Sequence, residues 1–124
     1  MLTFGNLLIP VVGFLATVAF GFWLGITGRP YNGVLFNIHK LIALGTAIIT
    51  SIRLYDVFEN SEMQILVVAV IVVAGLALVT LFASGAFLSI GNLRYEVMKF
   101  IHNAALVVMV LAMSITIFLL RGKL

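Results

Sequence analysis

The chain has 124 residues, of which 64% are hydrophobic and only 9% are charged. A soluble domain of this size cannot bury so much apolar surface, because small domains have a large surface for their volume. We therefore expect a lipid bilayer around most of the chain, and the small net charge of +3 argues against a nucleic-acid partner. The absence of cysteine excludes disulfides, thiolate metal sites and covalently attached haem.

Four apolar segments follow one another, each near the length of about 20 residues that a bilayer-spanning helix requires. The predicted spans cover about residues 5–27, 34–57, 63–88 and 97–120. The connections between them are short and rich in turn-forming residues. Short connections make consecutive helices antiparallel neighbours. The sequence therefore predicts one all-α transmembrane domain over residues 1–124, arranged as an up-down-up-down four-helix bundle.

The second span carries charge within its apolar run. Only 12 uncharged residues separate Lys40 from Arg53, and this is too short a stretch to cross a bilayer. At least one of these charges must lie in the apolar zone or extend its side chain to the membrane surface. For Lys40 both interpretations remain open, because its neighbour is His39.

The two histidines of the chain, His39 and His102, each lie about five residues into an apolar span. They are 63 residues apart, as are Gly28 and Gly91, and this spacing indicates a duplicated helical hairpin. In the predicted bundle, spans 2 and 4 run in the same direction, so both imidazoles are expected on the order of 8 Å below one membrane surface. Two imidazoles at one depth across a bundle suit axial ligation of the iron of one haem b.

Small residues surround the predicted haem site. The next small residue on the histidine face is Ala43 in span 2 and Ala105 in span 4. Spans 1 and 3 carry patterns of small residues four apart, which either allow close helix packing or leave space for a porphyrin edge. These are Gly21 with Gly25, and Gly85 with Ser89.

Four basic residues lie at the same predicted end of the spans and complete the candidate haem-binding set: Arg29, Lys40, Arg94 and Lys99. Haem propionates are anionic and bind such side chains. The alternative for each feature is structural: histidine as a polar residue at the interface, lysine extended to the surface, and glycine as a packing residue.

Other chemistries have less support in the sequence. Two histidines without a nearby Cys, Asp or Glu leave the coordination shell of zinc half empty. A hydrolase is also disfavoured, since no nucleophile, base and orienting acid come together.

Three short motifs carry a resemblance to known proteins. The tripeptide IHK opens span 2 at residues 38–40, SGA followed by LS closes span 3 at 84–89, and a second IH opens span 4 at 101–102. Over about residues 34–110 the chain resembles a group of small, uncharacterised four-helix integral membrane proteins with paired Ile-His motifs. It is more distantly similar to membrane b-type cytochromes of the cytochrome b561 and ferric reductase groups. That resemblance implies haem held by a histidine pair, although the chain lacks the second pair of the two-haem members.

The leading hypothesis is a multi-pass protein of the cytoplasmic membrane of a prokaryote that binds one haem b through His39 and His102. Its role would be electron transfer, redox sensing or haem handling, with a quinone or another protein as redox partner, and a homo-oligomer is compatible with it. Such a protein is a subunit rather than a stand-alone enzyme. The alternative is a haem-free scaffold, a small transporter subunit or a quinone-binding subunit whose histidines lie at the membrane interface.

Overall fold

The computed structural model of the chain describes residues 4–60, 62, 64–91 and 94–121. These ranges contain no strand and four α-helices: α1 (Phe4–Thr27), α2 (Gly33–Asn60), α3 (Ile65–Ile90) and α4 (Tyr95–Leu120). The prediction of an all-α chain with four membrane-length helices is confirmed. Predicted and observed helix ends agree within three residues, except that the predicted start of span 3 at Met63 lies outside the described residues.

Each helix contains an apolar stretch of 23 to 27 residues, which is long enough to cross a bilayer. Many of the largest apolar side chains point away from the helix that packs alongside. Ile65 is 84% exposed and Phe100 is 73% exposed. Side chains of this kind are stable against lipid tails and costly in water. The chain is therefore a multi-pass integral membrane protein.

The helix ends follow from local backbone chemistry. Gly28 ends α1 with a positive φ of 67° and donates its N–H to the carbonyl of Leu24 at 3.0 Å. Gly91 ends α3 in the same way, with a φ of 75°. Glycine adopts this left-handed conformation without a steric penalty from Cβ. Asn32 caps the start of α2, because its side-chain oxygen accepts the N–H of Val34 at 2.9 Å.

Helices α1 and α2 pack side by side and form hairpin 1, which comprises the described residues from 4 to 62. Small residues bring the two backbones together. A side chain at Gly13 would collide with the hydroxyl group of Thr46, and a side chain at Gly21 would collide with the ring of His39. Residue numbers fall along α1 as they rise along α2, so these two contacts show that the helices are antiparallel.

Helices α3 and α4 form hairpin 2, which comprises the described residues from 64 to 121. Helix α4 presents one continuous stripe of buried residues at spacings of three and four: Ala105, Met109, Ala112, Thr116 and Leu120. This spacing places all of them on one face of a helix. His102 lies one turn before Ala105 and therefore extends the stripe at its N-terminal end.

Candidate functional site

His39 is anchored to the backbone of the preceding helix. Its Nδ1 atom lies 2.9 Å from the carbonyl oxygen of Thr17 in α1. A carbonyl oxygen only accepts hydrogen bonds, so Nδ1 carries a proton and donates it. In a neutral imidazole with a protonated Nδ1, the lone pair lies on Nε2, and an imidazole ligates a metal through such a lone pair.

His102 is held in the same protonation pattern by a hydroxyl group. Its Nδ1 atom lies 2.8 Å from Ser84 Oγ in α3. The hydroxyl hydrogen of Ser84 is directed to the carbonyl oxygen of Thr80 at 2.7 Å, with that of Leu81 farther away at 3.2 Å. When this hydrogen is donated to the Thr80 carbonyl, Ser84 Oγ can only accept the proton of Nδ1. The lone pair of the neutral His102 ring therefore also lies on Nε2.

The contacts of the two histidines repeat with the 63-residue spacing seen in the sequence. Thr17 and Thr80 are 63 residues apart, and each donates its hydroxyl to the carbonyl four residues earlier, at 2.8 and 2.9 Å. Gly28 and Gly91 end their helices with the same left-handed conformation. The two hairpins thus share local geometry as well as sequence spacing, which strengthens the interpretation of a duplicated hairpin.

Two of the three predicted glycines lie against the histidine rings. A Cβ built on Gly21 would be 2.9 Å from Cε1 of His39, and one built on Gly85 would be 3.5 Å from Cε1 of His102. A Cβ on Gly25 would meet nothing within 4 Å, so the structure does not bring Gly25 to a histidine of its own hairpin.

The two predicted alanines continue the histidine faces of α2 and α4. Ala105 is buried in hairpin 2, whereas Ala43 is half-buried in hairpin 1. Because the side chain of alanine is a single methyl group, the helix surface beside each imidazole carries little bulk.

The lysines of the candidate site extend toward the start of their helices. The Nζ atom of Lys40 lies over the ring of Phe36, 4.2 Å from its centroid, and that of Lys99 lies 5.8 Å from the centroid of Tyr95. In both cases the aromatic partner is one turn closer to the connection of the hairpin. The Lys40 side chain thus extends toward the start of α2, which is the direction that extension to a membrane surface would require.

The two predicted arginines lie at the connections themselves. Arg29 lies between α1 and α2, and Arg94 lies immediately before α4. Both are exposed. Each hairpin thus has one histidine, one lysine and one arginine at the end where its two helices are joined.

Comparison of the chain with protein-family models, with curated proteins and with solved structures finds no match. Within the described ranges, no three His, Asp or Glu side chains come together as a metal site. Each hairpin provides one imidazole, and an imidazole nitrogen is the type of donor that fills one axial position of a haem iron.

Sequence reasoning missed the anchors of the histidines, which are the Thr17 carbonyl and the Ser84 hydroxyl. The 63-residue spacing contains a signal for these anchors. When the same spacing is applied to the other residues, Thr17 aligns with Thr80 and Gly21 aligns with Ser84. The sequence alone does not tell which of these aligned positions faces the histidine.

Proposed function

We propose that the protein binds one haem b through Nε2 of His39 and Nε2 of His102. One observation carries the proposal: Nδ1 of each histidine lies within hydrogen-bond distance of an oxygen on the preceding helix of its own hairpin, at 2.9 Å for His39 and 2.8 Å for His102. Metal-ligating histidines almost always donate their second ring N–H in this way, which fixes the tautomer and raises the basicity of the ligating nitrogen.

Other residues near the two histidines are compatible with a bound haem. Gly21 and Gly85 let the imidazoles pack closely against the preceding helix, and the basic residues at the hairpin connections match the charge of haem propionates. A bound haem supplies one-electron chemistry. With two histidine ligands its iron has no open coordination position, which favours electron transfer, redox sensing or haem handling over oxygen activation. A quinone or a second protein would then exchange electrons with it.

A second candidate function is supported by the same contacts. Each histidine joins two helices of one hairpin through a hydrogen bond, and polar groups commonly join helices in membranes. In this case the protein is a haem-free scaffold, a small transporter subunit or a quinone-binding subunit, and the histidines are structural.

The test is the absorbance of the purified protein. The wild type and the variants His39→Ala, His102→Ala and Asn103→Ala are produced in haem-supplemented cells, and the Soret absorbance per protein is measured. Asn103 is the exposed neighbour of His102 and serves as the matched control. We expect both histidine variants to lose most of the Soret band and the control to keep it, with helicity unchanged in all four proteins. The proposal fails if both histidine variants keep wild-type occupancy. A colourless wild type would also reject it and would favour the second candidate.

A further inference from the structure

Residues 21 and 84 occupy equivalent positions in the two hairpins, yet one is glycine and the other is serine. We infer that both are positioning residues whose function is to connect an imidazole Nδ1–H to a helical carbonyl four residues earlier. On this view glycine and serine are interchangeable at both positions, and alanine fails at both. The inference deepens the proposed function, and its haem readout rests on that proposal.

In hairpin 1 the connection is direct. The His39 ring lies where a side chain of residue 21 would stand, since a Cβ there would be 2.9 Å from Cε1 and 3.4 Å from Nδ1. Real Cβ atoms essentially never approach another atom within 3.0 Å. Only glycine therefore lets the ring come close enough to α1 for Nδ1 to reach the Thr17 carbonyl at 2.9 Å.

In hairpin 2 the connection runs through a hydroxyl group. Ser84 is only 3% exposed, and its Oγ lies between the imidazole and the helical carbonyl, 2.8 Å from His102 Nδ1 and 2.7 Å from the oxygen of Thr80. The serine side chain stands between Nδ1 and the Thr80 carbonyl, and its hydroxyl connects the two. Thr80 corresponds to Thr17 in the repeat, so both connections end on the equivalent carbonyl.

Alanine combines the disadvantages of both arrangements. Its Cβ keeps the ring away from the backbone as serine does, but it offers no hydroxyl to accept the proton of Nδ1. When one partner of a hydrogen bond is removed in an apolar environment, the other partner stays desolvated without a hydrogen bond, and this destabilises the structure. Without an acceptor at Nδ1, the proton of a neutral imidazole distributes between the two ring nitrogens. The ring then spends part of its time with Nε2 protonated, and a protonated Nε2 cannot ligate a metal.

At each of the two positions, two substitutions that look similar are expected to have opposite effects. Ser84→Gly removes the side chain that separates His102 from α3 and permits the direct connection to the Thr80 carbonyl. Ser84→Ala removes only the hydroxyl. In hairpin 1, Gly21→Ser supplies a hydroxyl that can bridge to the Thr17 carbonyl, whereas Gly21→Ala supplies only a steric obstacle.

The direct readout is ¹⁵N NMR of the histidine rings in the full-length, haem-free protein in detergent. The chain has two histidines, so two ring signals are expected, and His102→Ala assigns them. We expect both wild-type rings to show a protonated Nδ1. Ser84→Ala should shift the His102 signals toward a mixture of tautomers, leave those of His39 unchanged as an internal control for folding, and be reversed in Ser84→Gly. Gly21→Ala and Gly21→Ser should show the same contrast at His39.

A second readout is haem occupancy, for which we expect wild-type values in Ser84→Gly and about a tenfold loss of haem affinity in Ser84→Ala. The inference is overturned if Ser84→Ala keeps the wild-type tautomer, or if Ser84→Gly behaves like Ser84→Ala. A colourless wild type would instead reject the haem proposal, and the NMR comparison would still decide whether residues 21 and 84 position the histidines.

Discussion

Replacing Gly21 by alanine is expected to disturb hairpin 1 by a predictable amount. The added methyl group would stand 2.9 Å from Cε1 of His39, whereas the corresponding distance for Gly85 and His102 is 3.5 Å, an ordinary contact. The His39 ring therefore has to retreat by about 0.6 Å to reach a normal distance. The hydrogen bond from Nδ1 to the Thr17 carbonyl would lengthen from 2.9 Å to about 3.5 Å, beyond the usual range for such bonds.

The cost of this displacement is that of overpacking a tight contact, about 1–3 kcal/mol. Glycine-to-alanine substitution also favours a helix by about 1 kcal/mol, and this gain has to be separated from the steric cost. Gly25 provides the control, because it lies one turn later on α1 and a Cβ there meets nothing within 4 Å. Gly21→Ala should therefore be less stable than Gly25→Ala by about 1–3 kcal/mol.

The assay is unfolding by increasing mole fractions of sodium dodecyl sulfate in mixed micelles, followed by the fluorescence of Trp23. This is the only tryptophan in the chain, and it lies on α1 between the two substituted positions. The protein is studied without haem, so the result is independent of the proposed function. If the free energies of unfolding of the two variants agree within about 0.5 kcal/mol, the close contact between Gly21 and His39 does not determine the packing of hairpin 1.

Two further outcomes are expected. Gly13→Ala should destabilise hairpin 1 in the same assay because the new Cβ collides with the Thr46 side chain, and the double variant Gly13→Ala/Thr46→Ala should recover most of the loss; equal stability of the single and double variants would contradict the contact. If propionates face the hairpin connections, neutralising the residue that contacts them among Arg29, Lys40, Arg94 and Lys99 should lower the reduction potential in a spectroelectrochemical titration, because nearby positive charge favours the reduced state. Unchanged potentials in all four single variants would reject this placement.

The helices of this protein were predictable because apolar length alone identifies a membrane-spanning helix. The orientation of individual side chains was less accessible. Helix α3 is apolar on all sides, so its sequence does not reveal which face meets α4, and Ser84 is not distinguishable from Ser89 by pattern. The structure buries Ser84 and exposes Ser89. The glycines beside the histidines were predicted as small residues at the right end of the spans. Which of them contact a histidine depends on how each helix is rotated about its own axis, and the sequence does not show that rotation.

The location of the histidine hydrogen bonds has a consequence for biosynthesis. Both described histidine anchors are formed within a hairpin, between α1 and α2 or between α3 and α4. Chains fold from the N-terminus as they are synthesised, and a polar side chain entering lipid alone is costly. Thr17 precedes His39 in the chain, so both partners of this hydrogen bond are synthesised before any residue of hairpin 2. Insertion of hairpin 1 therefore does not have to wait for the second half of the protein.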